Sequence, residues 1–303
     1  MTPQPPHPIT SAAPRPTEVN LLGIVEHPAM AHFDPYQVDA DGAPYVSVGT
    51  TGVVLGVRLG DSVFAHDADH VAPGACLAHP DQEARHALTA FACLGNRAEV
   101  RTGDATGAVG TVIGKRGEEG RVIVSLPQDV LARLRPGDRI AVRGSGQGAR
   151  PASPALDGRV KLLNIDPALL ARLPLDLTGD TVTGSVRGTV PSRLAGNGLG
   201  RPAPLWDLDI QLTEERAGRL GLARLSLGDL VALADMDVRT TMGYRADRLT
   251  VGIVVHGASP LPGHGPGVTP IMTGPADAFA LTRDPVGHTG LTEAVLELVC
   301  RPG

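Results

Sequence analysis

Lysine is nearly missing from this chain: Lys115 and Lys161 stand against 25 arginines in 303 residues. Schiff-base chemistry would have to use one of those two amines, so no pyridoxal phosphate (PLP) is expected. Aromatics are as scarce. One Trp, three Tyr and four Phe cannot build the stacking platforms that hold single strands. There is no basic surplus either, since 32 acidic residues against 27 basic leave a net charge of −5. Phosphate backbones attract clustered basic residues, so nucleic acid is not an expected partner.

The three cysteines, Cys76, Cys93 and Cys300, have no CxxC spacing. That speaks against a disulfide framework and fits a reduced, cytoplasmic protein. No apolar run approaches the ~20 residues that span a bilayer, so no membrane association is expected. Residues 1–17 are rich in proline, without a basic start or an apolar stretch, and read as a flexible leader rather than a signal peptide. No Gly-x-Ser-x-Gly elbow is present, which removes the usual α/β-hydrolase serine. The glycine-rich loops 144–148 and 196–200 do not join a strand to a helix in a βαβ unit, so NAD is not expected.

What the chain does have is punctuation. Its 38 glycines and 27 prolines separate short apolar runs. Runs at 46–48, 52–57, 110–113, 122–124, 140–142, 182–186, 230–233 and 249–255 read as strands. Helical spacing occurs at 81–94, 166–173, 213–225 and 292–299. This predicts a β-rich α+β fold: two small lobes of short strands with a few packing helices, divided as 18–150 and 151–303. An internal echo supports the division. Residues 128–142 and 219–233 each place an apolar-helical segment before a Gly-Asp pair and an apolar strand, and Gly60-Asp61 begins a weaker third copy.

The densest chemistry lies at 254–269. An apolar run delivers His256 to its end, and a loop of glycines and prolines carrying His264 follows. Glycines let a backbone approach a ligand closely, and imidazoles bind metals or move protons. The segment therefore reads as the floor of a small-molecule site. Two histidines need a third ligand to hold a divalent ion such as zinc or manganese. Asp235 and Asp237 are candidates, since alternation puts both on one strand face beside Arg239. Asp69 and His70, next to a Pro-Gly turn, are candidates from the other lobe. Gly265, Gly267, Thr269, Asn197, Gly198, Arg239 and Lys115 are the expected ligand-binding residues, the glycine loops acting through bare N–H groups. His256, His264 and Asp237 are the expected catalytic groups.

Several segments together resemble the domain-of-unknown-function family 4438. They are Asp69-His70-Val71-Ala72-Pro73-Gly74, Ala92-Cys93-Leu94-Gly95-Asn96, the stretch from Gly103 to Lys115, Leu194 to Gly200 followed by Asp207-Leu208-Asp209-Ile210-Gln211, and His256 to Thr269. The resemblance covers about residues 45 to 285, and the last block is its most specific part. Arg116 stands where the resemblance leads one to expect a histidine. The family brings no activity to carry over. A looser likeness to the acetamidase/formamidase family rests on Gly/His loops without an alignable motif.

The expected function is an intracellular, amidase-like hydrolase of a small polar or anionic metabolite, acting on an amide or another C–N bond through a His/Asp metal or acid–base site. A non-catalytic metabolite-binding protein and a metal-free lyase or isomerase are the alternatives. Self-association into a homo-oligomer is left open.

Overall fold

A computed structural model describes residues 17–28, 37–39, 41–45, 52–66, 68–117, 120–287 and 289–300. The leader (apart from Thr17) and the expected strand at 46–48 lie outside the described residues.

Six antiparallel strands close on themselves in the N-terminal half: β1 (Val19–Val25), β2 (Gly74–Ala78), β3 (Arg97–Val100), β4 (Val109–Arg116), β5 (Arg121–Ser125) and β6 (Arg139–Gly144). The order is β1-β6-β3-β4-β5-β2, and β2 returns to β1 through Ile24↔Ala78. Closure removes exposed strand edges. Helix α1 (Gln82–Phe91) is capped by Asp81, whose side chain accepts from Ala84 N at 2.8 Å. It ends short of the expected 94 because the chain turns extended at Ala92.

The second half is built on a sheet of six strands: β7 (Lys161–Leu162), β8 (Thr189–Pro191), β9 (Leu208–Asp209), β10 (Leu230–Asp237), β11 (Gly243–His256) and β12 (Gly267–Pro275). Its order is β7-β12-β11-β10-β8, and β9 lies on the same edge of β12 as β7. Helix α2 (Glu214–Arg219) is capped by Thr213. It stops well before the expected residue 225, with Gly221 in the left-handed region at φ 68°. Helix α3 (Glu293–Cys300) closes the described chain.

The internal echo is a repeated turn. Gly60, Gly137 and Gly228 each adopt φ 95°. In each case the following aspartate accepts from the backbone N–H three residues before it: Arg58 N, Arg135 N and Ser226 N, all at 2.8 Å from Asp61, Asp138 and Asp229. The repetition therefore encodes a local device that launches β6 and β10.

One hydrophobic core crosses between the halves. Cys76, Ile113 and Ile123 of the barrel pack in the same cluster as Leu162, Ile253 and Met272 of the second sheet. Among the described residues, no helix is long and apolar enough to cross a membrane.

Candidate functional site

The site grows from the register of three neighbouring strands. His256, the last residue of β11, stands opposite Gly267 on β12, and Gly267 stands opposite Asp209 on β9. A side chain at Gly267 would drive its Cβ into His256 Nε2 and Asp207 Oδ2. Glycine is required there so that an imidazole and a carboxylate can meet above bare main chain. The loop at 196–197 pins the arrangement: Gly196 N donates to Asp209 O, Asp209 N to Asn197 O, and Asn197 N to Gly263 O, all within 2.8–2.9 Å. Asp207 is held from the barrel side, its Oδ1 accepting from Gly117 N at 2.6 Å.

His70 arrives from the first half in the left-handed region, φ 53°, unusual for a residue with a side chain. Its N–H donates to Ala258 O at 3.0 Å, and Gly257 N donates to Val71 O at 2.7 Å. The 69–71 turn is thereby fastened to the segment carrying the other two histidines.

The side chains form two triads that share Asp209. In the first, His70 Nε2 lies 3.0 Å from His264 Nδ1 and 3.2 Å from Asp209 Oδ2, and His264 Nδ1 lies 2.9 Å from the same oxygen. In the second, His256 Nε2 is 2.7 Å from Asp207 Oδ2 and 3.4 Å from Asp209 Oδ1. His70 Nδ1 sits 2.7 Å from Asp69 Oδ1. That contact sets a carboxylate behind the ring, while Nε2 faces His264 and Asp209. Carboxylate–histidine pairs of this kind orient metal ligands. A cavity of about 10 Å³, lined by His70, Arg116, Gly117, Asn197, Asp207, Asp209 and His256, lies among these groups. It has room for a single water or ion. His264 is the most open of the three rings, 19% exposed against 1% for His256.

Electrostatics separate the groups. Burial opposes the Asp209 charge, yet hydrogen bonds from His256, His264 and His70 overcome it and hold the carboxyl well below its ordinary range. Burial likewise disfavours the His256 imidazolium, but Asp207 and Asp209 outweigh it and raise its pKa to about 10. Asp69 is also shifted down, with burial opposing and His70, Ser259 and Arg116 prevailing.

Of the residues expected from the sequence, His70, His256, His264 and Asp69 come together here, and Asn197 lines the cavity. Asp235, Asp237 and Arg239 do not. Asp237 pairs with Gly243 at the opposite end of β11 from His256, roughly 40 Å of strand away at ~3.3 Å per residue. There it holds Arg239 at 2.7 Å in a partly exposed ion pair, while Asp235 sits in a β-bulge with φ 54°. The expectations that Asp235 is a ligand, Asp237 a catalytic group and Arg239 a substrate contact are corrected accordingly.

Lys115 is corrected too. It is fully buried, its Nζ donating to Asn164 Oδ1, Pro204 O and Ala90 O at 2.8, 2.9 and 3.1 Å. Thr269 is equally enclosed, its hydroxyl accepting from Lys115 N and donating to Lys115 O. Gly265 and Gly198 act through tight packing, since a Cβ would strike Ile210 O or Asp207 O. Gly267 serves the imidazole above it by leaving free the space that His256 Nε2 occupies.

Asp207 and Asp209 were missed as site residues. Their signal was present: an alternating Asp-x-Asp inside one of the family-like segments, the same pattern that drew attention to Asp235 and Asp237.

Fold and site together define a β-rich α+β protein with a buried histidine–aspartate centre between a closed barrel and a second sheet. The chain belongs to the family described as domain of unknown function DUF4438. The N-terminal family model matches residues 36–171 and the C-terminal one residues 172–288. A crystal structure of a protein designated TM1086 is similar, with 32% sequence identity and a TM-score of 0.85 over 90% of this chain and 95% of that one. No curated protein matches the chain.

Proposed function

We propose that the chain is a metal-dependent hydrolase of a small polar metabolite, acting on an amide or another C–N bond, with His70, His264 and Asp209 as ligands of one divalent cation such as zinc or manganese. The observation that carries this reading is the convergence of two imidazole nitrogens and one carboxylate oxygen within 2.9–3.2 Å of one another. Donors at about 2.0–2.2 Å around a tetrahedral cation stand ~3.3 Å apart, and two histidines with one carboxylate are a known catalytic set. The Asp69 contact behind His70 supplies the outer support such ligands need.

A cation in that triad would supply Lewis acidity and an acidified water. The chain supplies the rest. His256, protonated over a wide pH range and hydrogen-bonded to Asp207, is a proton donor beside the triad for a leaving amine. Arg116, lining the cavity, offers positive charge for an oxyanion, and Asn197 offers an amide. The exposed edge of His264 gives the approach from solvent.

The test is a panel of small amides, ureas and imides presented to chelator-treated protein with and without added Zn²⁺ or Mn²⁺. The reading expects turnover that requires the cation and falls at least ~100-fold in Asp209→Asn, whereas His256→Gln lowers kcat and keeps the metal. The 2.7 Å His256–Asp207 pair also suits a metal-free lyase or isomerase. Cation-independent turnover that survives Asp209→Asn and dies in His256→Gln would establish that second reading. Tight ligand binding without turnover would leave a binding protein.

A further inference from the structure

A cleft of about 350 Å³ lies on the outer side of the Asp69–His70 pair. Its lining, among the described residues, includes Tyr45, Phe64, Asp69, Glu214, Ser259 and Pro260. The volume is within the range of small-molecule sites. We propose that this cleft binds a small primary-ammonium compound, with Glu214 and Asp69 facing its charge and the Tyr45 oxygen accepting from it.

The charge pattern selects the ligand class. Two carboxylates line the cleft, and neither lysine nor arginine is among the described lining residues. Its one imidazole, His66, is engaged by Asp61 at 3.2 Å. Asp69 is 5% exposed and already in contact with His70, whereas Glu214 is exposed at the start of α2 and makes no ion pair among the described residues. An anionic ligand would meet like charge there, while an ammonium group meets complementary charge. The Tyr45 hydroxyl is an independent pointer. It is buried without a hydrogen-bond partner among the described residues, a costly state unless something supplies one. Burial, with the charges of Asp69 and Asp39, raises its pKa to about 12, so the phenol stays neutral and its oxygen can accept an ammonium N–H. Phe64, Ala68, Leu212 and Pro260 provide apolar wall for methylene groups.

As a binding site the cleft stands without the cation. That its occupant is the substrate rests on the function proposed above, because Asp69 both lines the cleft and holds the His70 ring.

Calorimetric titration of the chelator-treated full chain with 1,4-diaminobutane, succinate and 1,4-butanediol tests the binding separately from the metal reading. The expected result is saturable one-to-one binding of the diamine alone, weakened at least ~10-fold in Glu214→Gln and measurably in Tyr45→Phe, with unchanged melting temperatures. Three outcomes overturn the proposal: no saturable diamine binding, succinate binding as tightly, or diamine binding unchanged by Glu214→Gln. Metal content measured on the same samples reports on the triad independently.

Discussion

At the scale of single residues, the site depends on atoms that do not touch a ligand. Asp69 fixes the His70 ring from behind at 2.7 Å. Asp69→Asn should therefore lower divalent-metal affinity by about 10–100-fold, which a competition titration against a chromophoric chelator would measure; unchanged affinity would remove Asp69 from the ligand support. Gly267 is a second such residue, because a Cβ there collides with His256 and Asp207. Gly267→Ala is expected to cost ~1–3 kcal/mol of stability through overpacking, read as a shifted denaturation midpoint. At this scale the sequence was informative about types and incomplete about partners. The glycine density around His256 and His264 marked a real close approach. Asp235-x-Asp237 and Asp207-x-Asp209 look alike in one dimension, and only the register of β9 on β12 shows which pair meets the histidines.

At the scale of elements, the Gly-Asp turns were legible because their cause is local. A left-handed glycine and an aspartate accepting from the third residue before it need nothing from the rest of the chain. One of them has been recruited into the core: Asp229 also takes a bidentate contact from buried Arg187 at 2.8 and 3.0 Å and a bond from Thr289 Oγ1 at 3.2 Å. Asp229→Ala leaves that guanidinium buried without its carboxylate, and a loss of about 3–5 kcal/mol in equilibrium unfolding is expected. A loss below ~1 kcal/mol would show that water replaces the pair. The strand at 182–186 coincides with its apolar run. Strands β1, β2 and β12 were less readable. β12, Gly267–Pro275, contains glycine and proline among its apolar residues, and β2 is buried throughout, so neither shows a period of two.

For the whole molecule, Lys115 ties together segments that are remote in sequence: Ala90, Asn164 and Pro204 all accept from its ammonium. Burial lowers its pKa from 10.5 to about 8, the nearby Cys93 acting weakly the other way. An unfolded chain thus holds this proton up to higher pH than the folded one. The contribution of Lys115 to stability is present above pH 10.5 and lost as pH falls through 8. Lys115→Met removes that dependence. The stability of the variant relative to the parent should fall by about 3 kcal/mol between pH 8 and 10.5, and a pH-independent difference would contradict the burial argument. No sequence pattern announced this lysine as a core residue, because its burial depends on the barrel and the second sheet closing over it. The proposed cation site also depends on how those halves meet, since His70 comes from the first and Asp209 and His264 from the second. It is tested most directly by metal analysis of protein dialysed against Zn²⁺ or Mn²⁺ and then against buffer, with Trp206, next in sequence to Asp207, as a fluorescent reporter. About one ion per chain is expected in the parent, with loss of that ion in folded His70→Ala, His264→Ala and Asp209→Asn. A parent that retains no metal, or variants that retain as much as the parent, would contradict it.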